Sequence, residues 1–344
     1  MRRDRHRGPD PADAQPRARP RPARELGALA RGRAPEAPAR RARVDHLSRH
    51  DARAARAAAR GVGLRAGADF NVAFSPERVD PGRTDFTLGT TPKIVGGLTP
   101  ACHKRAVALY REVCDEIVEV STPEAAELSK LLENVFRSVN IALVNELAVL
   151  CDRMGIDAFE VVDAAATKPY GITRFEPGPG MGGHCLPVDP FYLAWRAREF
   201  GTATEFIELA GEVNQGMPQY CAEKVGLALN DHAKAVRGSR LAIFGVSYKP
   251  GVGDVRESPA LKIMQLLREW GADLAYHDVH VPELPDFGLT SHSFDDVLDG
   301  CDASVVITRH PDVDLQALVD RSPLVVDFRG VTRGIEATSP VRRL

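Results

Sequence analysis

From Pro123 to about Met154 the chain carries no glycine and no second proline, while Leu128, Leu131, Leu132, Val135, Val139, Leu143, Leu147 and Leu150 recur at steps of three and four. That period belongs to a helix with one apolar face. At 1.5 Å of rise per residue it would run roughly 45 Å, more than one compact domain needs. A helix of this length joins domains or builds an interface between copies, so the sequence divides around it. Cys151 to Ala166 and Tyr192 to about Leu229 also read as helical, which makes residues 123–230 an all-α middle.

Beyond Arg237 the texture changes. Leu241 to Gly245 is a strand of the fully buried type, followed by a helix from Ser258 to Trp270 with Pro259 near its start. Strands at Asp273 to His277, Ala303 to Thr308 and Leu324 to Asp327 alternate with helices at Phe294 to Leu298 and Leu315 to Val319. This alternation predicts a parallel sheet covered by helices, with ligands at the carboxyl ends of its strands. Upstream, Asp69 to Phe74 reads as a strand closed by Ser75-Pro76-Glu77, and Lys93 to Gly97 as another. Thr99 to Cys114 reads as a helix, with Thr99 as its cap and Pro100 at its first position. The fold class is therefore α/β, divided at 1–60, 61–122, 123–230 and 231–344.

Residues 1–60 hold 17 Arg, 16 Ala and 7 Pro with no Lys, Ile, Phe, Tyr or Trp; seven acids leave a net charge of +10 there, against −12 for the remaining 284 residues. So few large apolar side chains cannot offset ordering entropy, and the stretch is expected to be mostly disordered. It reads as a basic arm for nucleic acid, a solvated tail, or the product of a wrong start or shifted reading frame. The third is favoured, because an Arg/Ala/Pro glut without Lys is what a GC-rich gene yields out of frame, and no base-reading module accompanies the arginines. No run approaches the about 18 consecutive apolar residues of a membrane span, and no apolar core follows the basic N-terminus as in a secretory signal, so a cytosolic protein is expected. Six scattered cysteines without CxxC pairs suggest neither a disulfide framework nor a metal site.

Chemistry concentrates in a few places. From Pro177 to Pro190 the chain reads Pro-Gly-Pro-Gly-Met-Gly-Gly-His-Cys-Leu-Pro-Val-Asp-Pro, a density of glycine and proline that lets backbone approach a ligand. Cys185 sits in it beside His184, with Asp189 four residues on, and exposed amides there can stabilise a thiolate or an oxyanion. Lys130, Asn134 and Arg137 share one face of the long helix, set among Leu131, Leu132, Val135 and Phe136, so that face points into a cleft or to water. Glu77 ends a strand before an Arg-Val-Asp-Pro-Gly turn. Ser247 to Ser258, with Tyr248, Lys249 and Arg256, follows a strand and opens a helix without matching GxGxxG or the P-loop. Arg329 ends the last strand, and cations at carboxyl strand ends suggest a diphosphate.

These pieces resemble the UDP-glucose/GDP-mannose dehydrogenase family. The matching segments are Ser75-Pro76-Glu77-Arg78, Lys130-Leu131-Leu132-Glu133-Asn134, Asn145-Glu146-Leu147, Gly180 to Pro190, Tyr248-Lys249 with Asp254 to Ser258, and Asp327-Phe328-Arg329. They fall in family order over roughly residues 61–344. The resemblance implies an N-terminal Rossmann-like NAD-binding domain, a central helical domain that dimerises through the long helix, and a C-terminal Rossmann-like domain that binds a UDP-sugar. It also implies two successive NAD-dependent oxidations of the sugar C6 alcohol to a carboxylate, for polysaccharide biosynthesis. By resemblance Cys185 is the nucleophile that forms a thiohemiacetal and then a thioester, and Lys130 the cation that stabilises oxyanions. Asn134 and Asp189 match groups that position water and substrate, and Glu77 the acid linked to thioester hydrolysis. Tyr248, Lys249 and Arg329, with Gly182 and Gly183 of the loop, match the substrate site, and Arg256 matches a group that reaches the cofactor.

Two departures stand out. Members that oxidise UDP-glucose usually carry Lys before the Asp of the cysteine loop, whereas this chain has Val188, with His184 before Cys185. With Thr167-Lys168-Pro169-Tyr170-Gly171 upstream, this is more similar to the branch acting on UDP-N-acetylglucosamine or UDP-N-acetylmannosamine, the former ranked first; UDP-glucose is the alternative. The family also opens with a strand, a glycine-rich loop and a helix, none of which is legible in residues 1–60. The expectation is a member whose cofactor domain is mostly missing or frame-shifted, so a non-catalytic UDP-sugar binder is the competing reading.

Overall fold

The computed structural model describes residues 63–79, 85–183 and 188–344. The expectations for residues 1–60 and for His184 and Cys185 lie outside the described residues.

The first unit is a three-stranded sheet. Strand β1 (Ala73–Phe74) pairs antiparallel with β2 (Lys93–Gly97), and β2 pairs in parallel with β3 (Ile117–Val120). Helix α1 (Pro100–Arg111) makes the crossover and begins as its sequence dictates, Thr99 Oγ1 accepting the Cys102 amide at 3.2 Å with Pro100 in the first turn. The strand expected over 69–74 shortens to two residues, because Asp69 Oδ2 accepts the Arg65 amide at 2.7 Å and holds the chain before it in a turn. Strand β3 went unread, since its burial pattern carries only two partly covered positions.

Helix α2 (Pro123–Met154) has the expected bounds, capped by Thr122 and ended by Gly155 in the left-handed region at φ 69°. Its packing differs from expectation. The buried side carries Ala126, Asn134, Val135, Ser138, Ala142, Asn145, Ala148 and Cys151, whereas Leu132 and Leu143 are 64% and 63% exposed. Small side chains let helix α5 (Glu205–Asp231) approach α2 closely along this side. By length and composition alone α2 reaches the apolarity of a membrane-crossing helix, a case that the count of consecutive apolar residues passed over. The run expected from Cys151 to Ala166 breaks at Gly155, and α3 (Ala158–Ala166) starts on an Asp157 cap. The run expected from Tyr192 to Leu229 is two helices, α4 (Asp189–Arg198) and α5, parted at Gly201 with φ 68°.

The C-terminal sheet comprises β4 (Arg240–Phe244), β5 (Asp273–His277), β8 (Ala303–Val306), β9 (Val325–Asp327) and β10 (Val341–Arg343), all parallel, in the order β10-β9-β8-β4-β5. A short hairpin, β6 (Glu283–Leu284) and β7 (Leu289–Thr290), lies between β5 and β8 in sequence. Alternation along β4 sends Leu241 and Ile243 to one face, under α5 and α6 (Pro259–Glu269), and Ala242 and Phe244 to the other, under α7 (Phe294–Leu298) and α8 (Leu315–Arg321). Each such fully buried large side chain contributes ~1.5–3 kcal/mol. The first cluster continues through Val225 and Leu229 to Cys151 and Phe159, so the central helices and the sheet share one core. The chain leaves β4 toward β5 and returns on the far side as β8, which opens a crevice between the carboxyl ends of β4 and β8.

Candidate active site

One turn separates Lys130 from Asn134 on α2. Asn134 is buried and its Nδ2 donates to Asp189 Oδ2 at 2.7 Å, at the first turn of α4. An acid at a helix N-terminus is favoured by the helix dipole. Lys130 is partly exposed, its Nζ 3.7 Å from Glu133, whose other oxygen meets Arg78 Nη2 at 2.8 Å. Glu77 precedes Arg78 and accepts the amides of Arg78 and Val79 at 3.0 and 2.9 Å, with Lys93 Nζ 3.7 Å away. Glu77 and Lys130 thus flank the Arg78–Glu133 pair, which ties the first sheet to α2. Arg137, placed on the same helix face by spacing, is exposed and joins none of this.

The glycine-rich loop lies directly on the C-terminal domain. The Gly178 amide donates to Asn145 Oδ1 at 2.8 Å, Asn145 Nδ2 to Asn214 Oδ1 at 2.9 Å, and Asn214 Nδ2 to the Ser138 carbonyl at 3.0 Å. This buried amide chain anchors the loop to α2 and α5. A Cβ on Gly178 would lie 2.6 Å from Arg329 Nη1, and one on Gly182 would lie 2.7 Å from Tyr248 Cβ. The Gly183 amide donates to the Arg256 carbonyl at 3.1 Å. Gly182 and Gly183 therefore lie against Tyr248, and Arg329 lies against Gly178 four residues earlier in the same loop. Arg329 follows β9 and donates through Nε to the Ile307 carbonyl at 2.7 Å. Burial pulls its guanidinium below the ordinary arginine value, Glu176, Cys221 and Asp327 opposing the shift from a distance, and among the described residues no ion pair involves it. A desolvated cation of this kind suits an anionic ligand. Arg256 instead forks over Asp254, with contacts of 2.6 to 3.1 Å, its side chain 64% exposed.

Sequence reasoning missed two residues beside the crevice between β4 and β8, Asp278 and His310, which meet Ser247 there. Asp278, just past β5, accepts the amides of Val246 and Ser247 at 2.8 and 3.1 Å and meets His310 Nε2 at 3.0 Å. Ser247 Oγ lies 3.1 Å from the same nitrogen. Burial pushes the Asp278 carboxyl up, but the bonds from His310 and the Val246 amide outweigh it and hold it below the usual carboxylate value. Their signal was positional: each is a polar residue within four positions of the end of a buried strand. His280, His310 and Asp312 bring ligand atoms within 4.8 Å of one another, yet both His310 nitrogens are already engaged, Nδ1 by the Gly251 amide at 3.3 Å. We assign no metal to them.

A dinucleotide needs an open strand–glycine–helix turn for its pyrophosphate. Among the described residues, the junction from β2 to α1 has that order, with Gly96 and Gly97 before Thr99. It is filled from within: a Cβ on Gly97 would lie 2.3 Å from His103 Cα, and one on Gly96 would lie 2.1 Å from the Thr122 carbonyl. That turn does not fit the pyrophosphate of NAD.

Residues 124–216 match the model of the UDP-glucose/GDP-mannose dehydrogenase family, central domain, and residues 242–334 that of its UDP binding domain. A UDP-N-acetyl-D-mannosamine dehydrogenase of Pyrococcus horikoshii is 35% identical over 292 residues, 79% of this chain and 67% of the relative. The enzyme of that name from Salmonella typhimurium is 35% identical over 277 residues, 77% of this chain and 64% of the relative. The chain thus spans about two thirds of the length of these relatives. A solved structure of a UDP-D-ManNAc dehydrogenase from Pyrococcus horikoshii superposes with a TM-score of 0.77 at 33% identity, covering 85% of this chain and 69% of that one.

Proposed function

This chain belongs to the UDP-glucose/GDP-mannose dehydrogenase family, and from that premise we propose that it binds a UDP-N-acetylhexosamine and serves its oxidation at C6 to the uronic acid, with NAD as hydride acceptor. The observation that carries this reading is Arg329, a partly buried guanidinium without an ion-pair partner among the described residues, set against Gly178 of the loop that leads to Cys185. The names of the relatives favour N-acetylmannosamine over the N-acetylglucosamine ranked first from sequence.

In this reading Arg329, Tyr248 and Lys249 hold the nucleotide sugar while Gly182 and Gly183 let the loop backbone come close. The Cys185 thiolate adds to the C6 aldehyde, forming the carbon–sulfur bond that keeps the intermediate in place. Lys130 lies one turn from Asn134, and its fixed charge lowers the cost of an alkoxide forming near it. Asn134 holds Asp189 by a hydrogen bond, and the pair orients water and substrate. Two hydrides leave C6 in all, one from the alcohol to give the aldehyde and one from the thiohemiacetal to give the thioester, and a bound NAD would accept each. Glu77 then assists attack of water on the thioester, which returns the thiol and releases the carboxylate. Two copies pair through the exposed leucine side of α2, and the setting is cytoplasmic, upstream of a polysaccharide.

The filled turn at β2 and α1 favours a second reading, a UDP-sugar binder without catalysis. One experiment separates them. The full chain with UDP-N-acetylmannosamine and NAD should release two equivalents of NADH per sugar, with no product from Cys185→Ala. Calorimetric binding of UDP without NADH would establish the second reading, and absence of both would overturn the proposal.

A further inference from the structure

The carboxyl ends of β4, β5 and β8 meet in a dry polar cluster whose members are not among the expected substrate or catalytic groups. Ser247, Asp278 and His310 are 0%, 1% and 3% exposed. A buried carboxylate and imidazole are costly unless every polar atom is satisfied. Here they are. Asp278 Oδ2 takes the Val246 and Ser247 amides and His310 Nε2, while its Oδ1 accepts the His280 amide at 2.9 Å. His310 Nδ1 accepts the Gly251 amide at 3.3 Å, which leaves the ring proton on Nε2, donated between Asp278 Oδ2 and Ser247 Oγ. The Ser247 hydroxyl then donates to the Lys249 carbonyl at 2.9 Å, and the Thr308 hydroxyl to the Ser247 carbonyl at 2.7 Å.

The trio has the composition of a nucleophilic triad but not its wiring. In a triad the acid and the serine use opposite ring nitrogens; here both face Nε2, so the imidazole has no free base directed at the hydroxyl. Most of the bonds run instead to the main chain of residues 246–251. Val246, Ser247, Lys249 and Gly251 are each tied, and the Tyr248 amide closes the turn on the Asp254 carbonyl at 3.0 Å. Ligands of such sheets bind at this crevice, outside the carboxyl strand ends.

We propose that Asp278, His310 and Ser247 are positioning residues for a nucleoside diphosphate: they fix the turn of residues 246–251, and with it the stations of Tyr248 and Lys249. This rests on the reading of that turn as the UDP-sugar site. The cluster spans three separate segments, so the turn holds its shape before the ligand arrives and the ligand need not order it.

The test is calorimetric titration of UDP into the full chain, unsubstituted and as Lys249→Ala, Ser247→Ala, His310→Gln and the double variant His310→Gln with Lys249→Ala. Ser247→Ala removes one hydroxyl with little change in volume, so it keeps a folded protein in the series. Ser247→Ala and His310→Gln should each weaken UDP by about tenfold. The double variant should lose less than the two single losses added together, because part of the imidazole's effect passes through Lys249 on that turn. Nitrogen NMR of the imidazole should find Nδ1 unprotonated. Unchanged affinity in folded Ser247→Ala and His310→Gln, additive losses in the double variant, or a protonated Nδ1 would overturn the inference while leaving the UDP reading intact. No UDP binding by the unsubstituted chain would overturn that reading and this inference with it.

Discussion

Asp189 is 3% exposed and its carboxylate accepts from the side-chain amide of Asn134. Asn134→Leu leaves that carboxylate without the donor and should cost about 2 kcal/mol, read as a lower midpoint in urea, together with loss of turnover. Asn134→Gln, which keeps an amide, should recover part of both; equal losses from the two would sink the assignment. Asp278 carries the clearest pH signature. Its carboxyl titrates below its ordinary value in the folded chain, so its contribution is complete above the unfolded carboxylate value and disappears as pH falls through the lower folded one. Melting temperature should therefore fall with acid below about pH 4, and Asp278→Asn should flatten that slope. The pairing of Asn134 with Asp189 was approached only through family resemblance, since 55 residues separate them. Asp278 and His310 stayed hidden for a related reason: no local spacing joins three residues from three crossovers.

Helix α2 is where periodicity succeeded and misled at once. It gave the length and both ends, because an apolar period uninterrupted by glycine or a second proline is a local signal. It did not give the covered side. Leucines at steps of three and four mark a common face, but the face packed on α5 is the one with Ala142, Asn145 and Ala148, where backbone approach and the Asn145–Asn214 bond decide the fit. The leucine side, with Leu128, Leu132, Leu143 and Leu150 each more than half exposed, is available to a second copy. Leu132→Glu with Leu143→Glu should turn a dimer into a monomer in light scattering without changing helical circular dichroism; an unchanged mass would remove this face from the interface. At the loop, Gly178→Ala asks a narrower question. Its new Cβ would meet the far end of Arg329 and not backbone, so the fold should stand while the displaced guanidinium lowers UDP affinity about tenfold in calorimetry.

Sequence texture placed divisions at 122 and 230, and element order supports a helical middle between two α/β parts. What texture cannot express is how far burial crosses such a line. Val225 and Leu229 of α5, Cys151 of α2 and Phe159 of α3 share one cluster with Leu241, Ile243 and Phe328 of the sheet, and Arg333 reaches back to Asp163 at 2.6 Å. Side chains that bury one another unfold together, so residues 123–344 should melt as a single transition. A ligand held at the sheet edge must then stabilise the helical middle as well. At a hundredfold excess over its dissociation constant, UDP adds about 2.7 kcal/mol to whatever unit binds it. Differential scanning calorimetry should show one peak for these residues moving up as a whole with UDP. A helical transition that melts apart from the sheet and ignores UDP would mean that the shared core does not couple them, and that substrate binding at the C-terminal edge leaves Lys130 and Asn134 on an independent body.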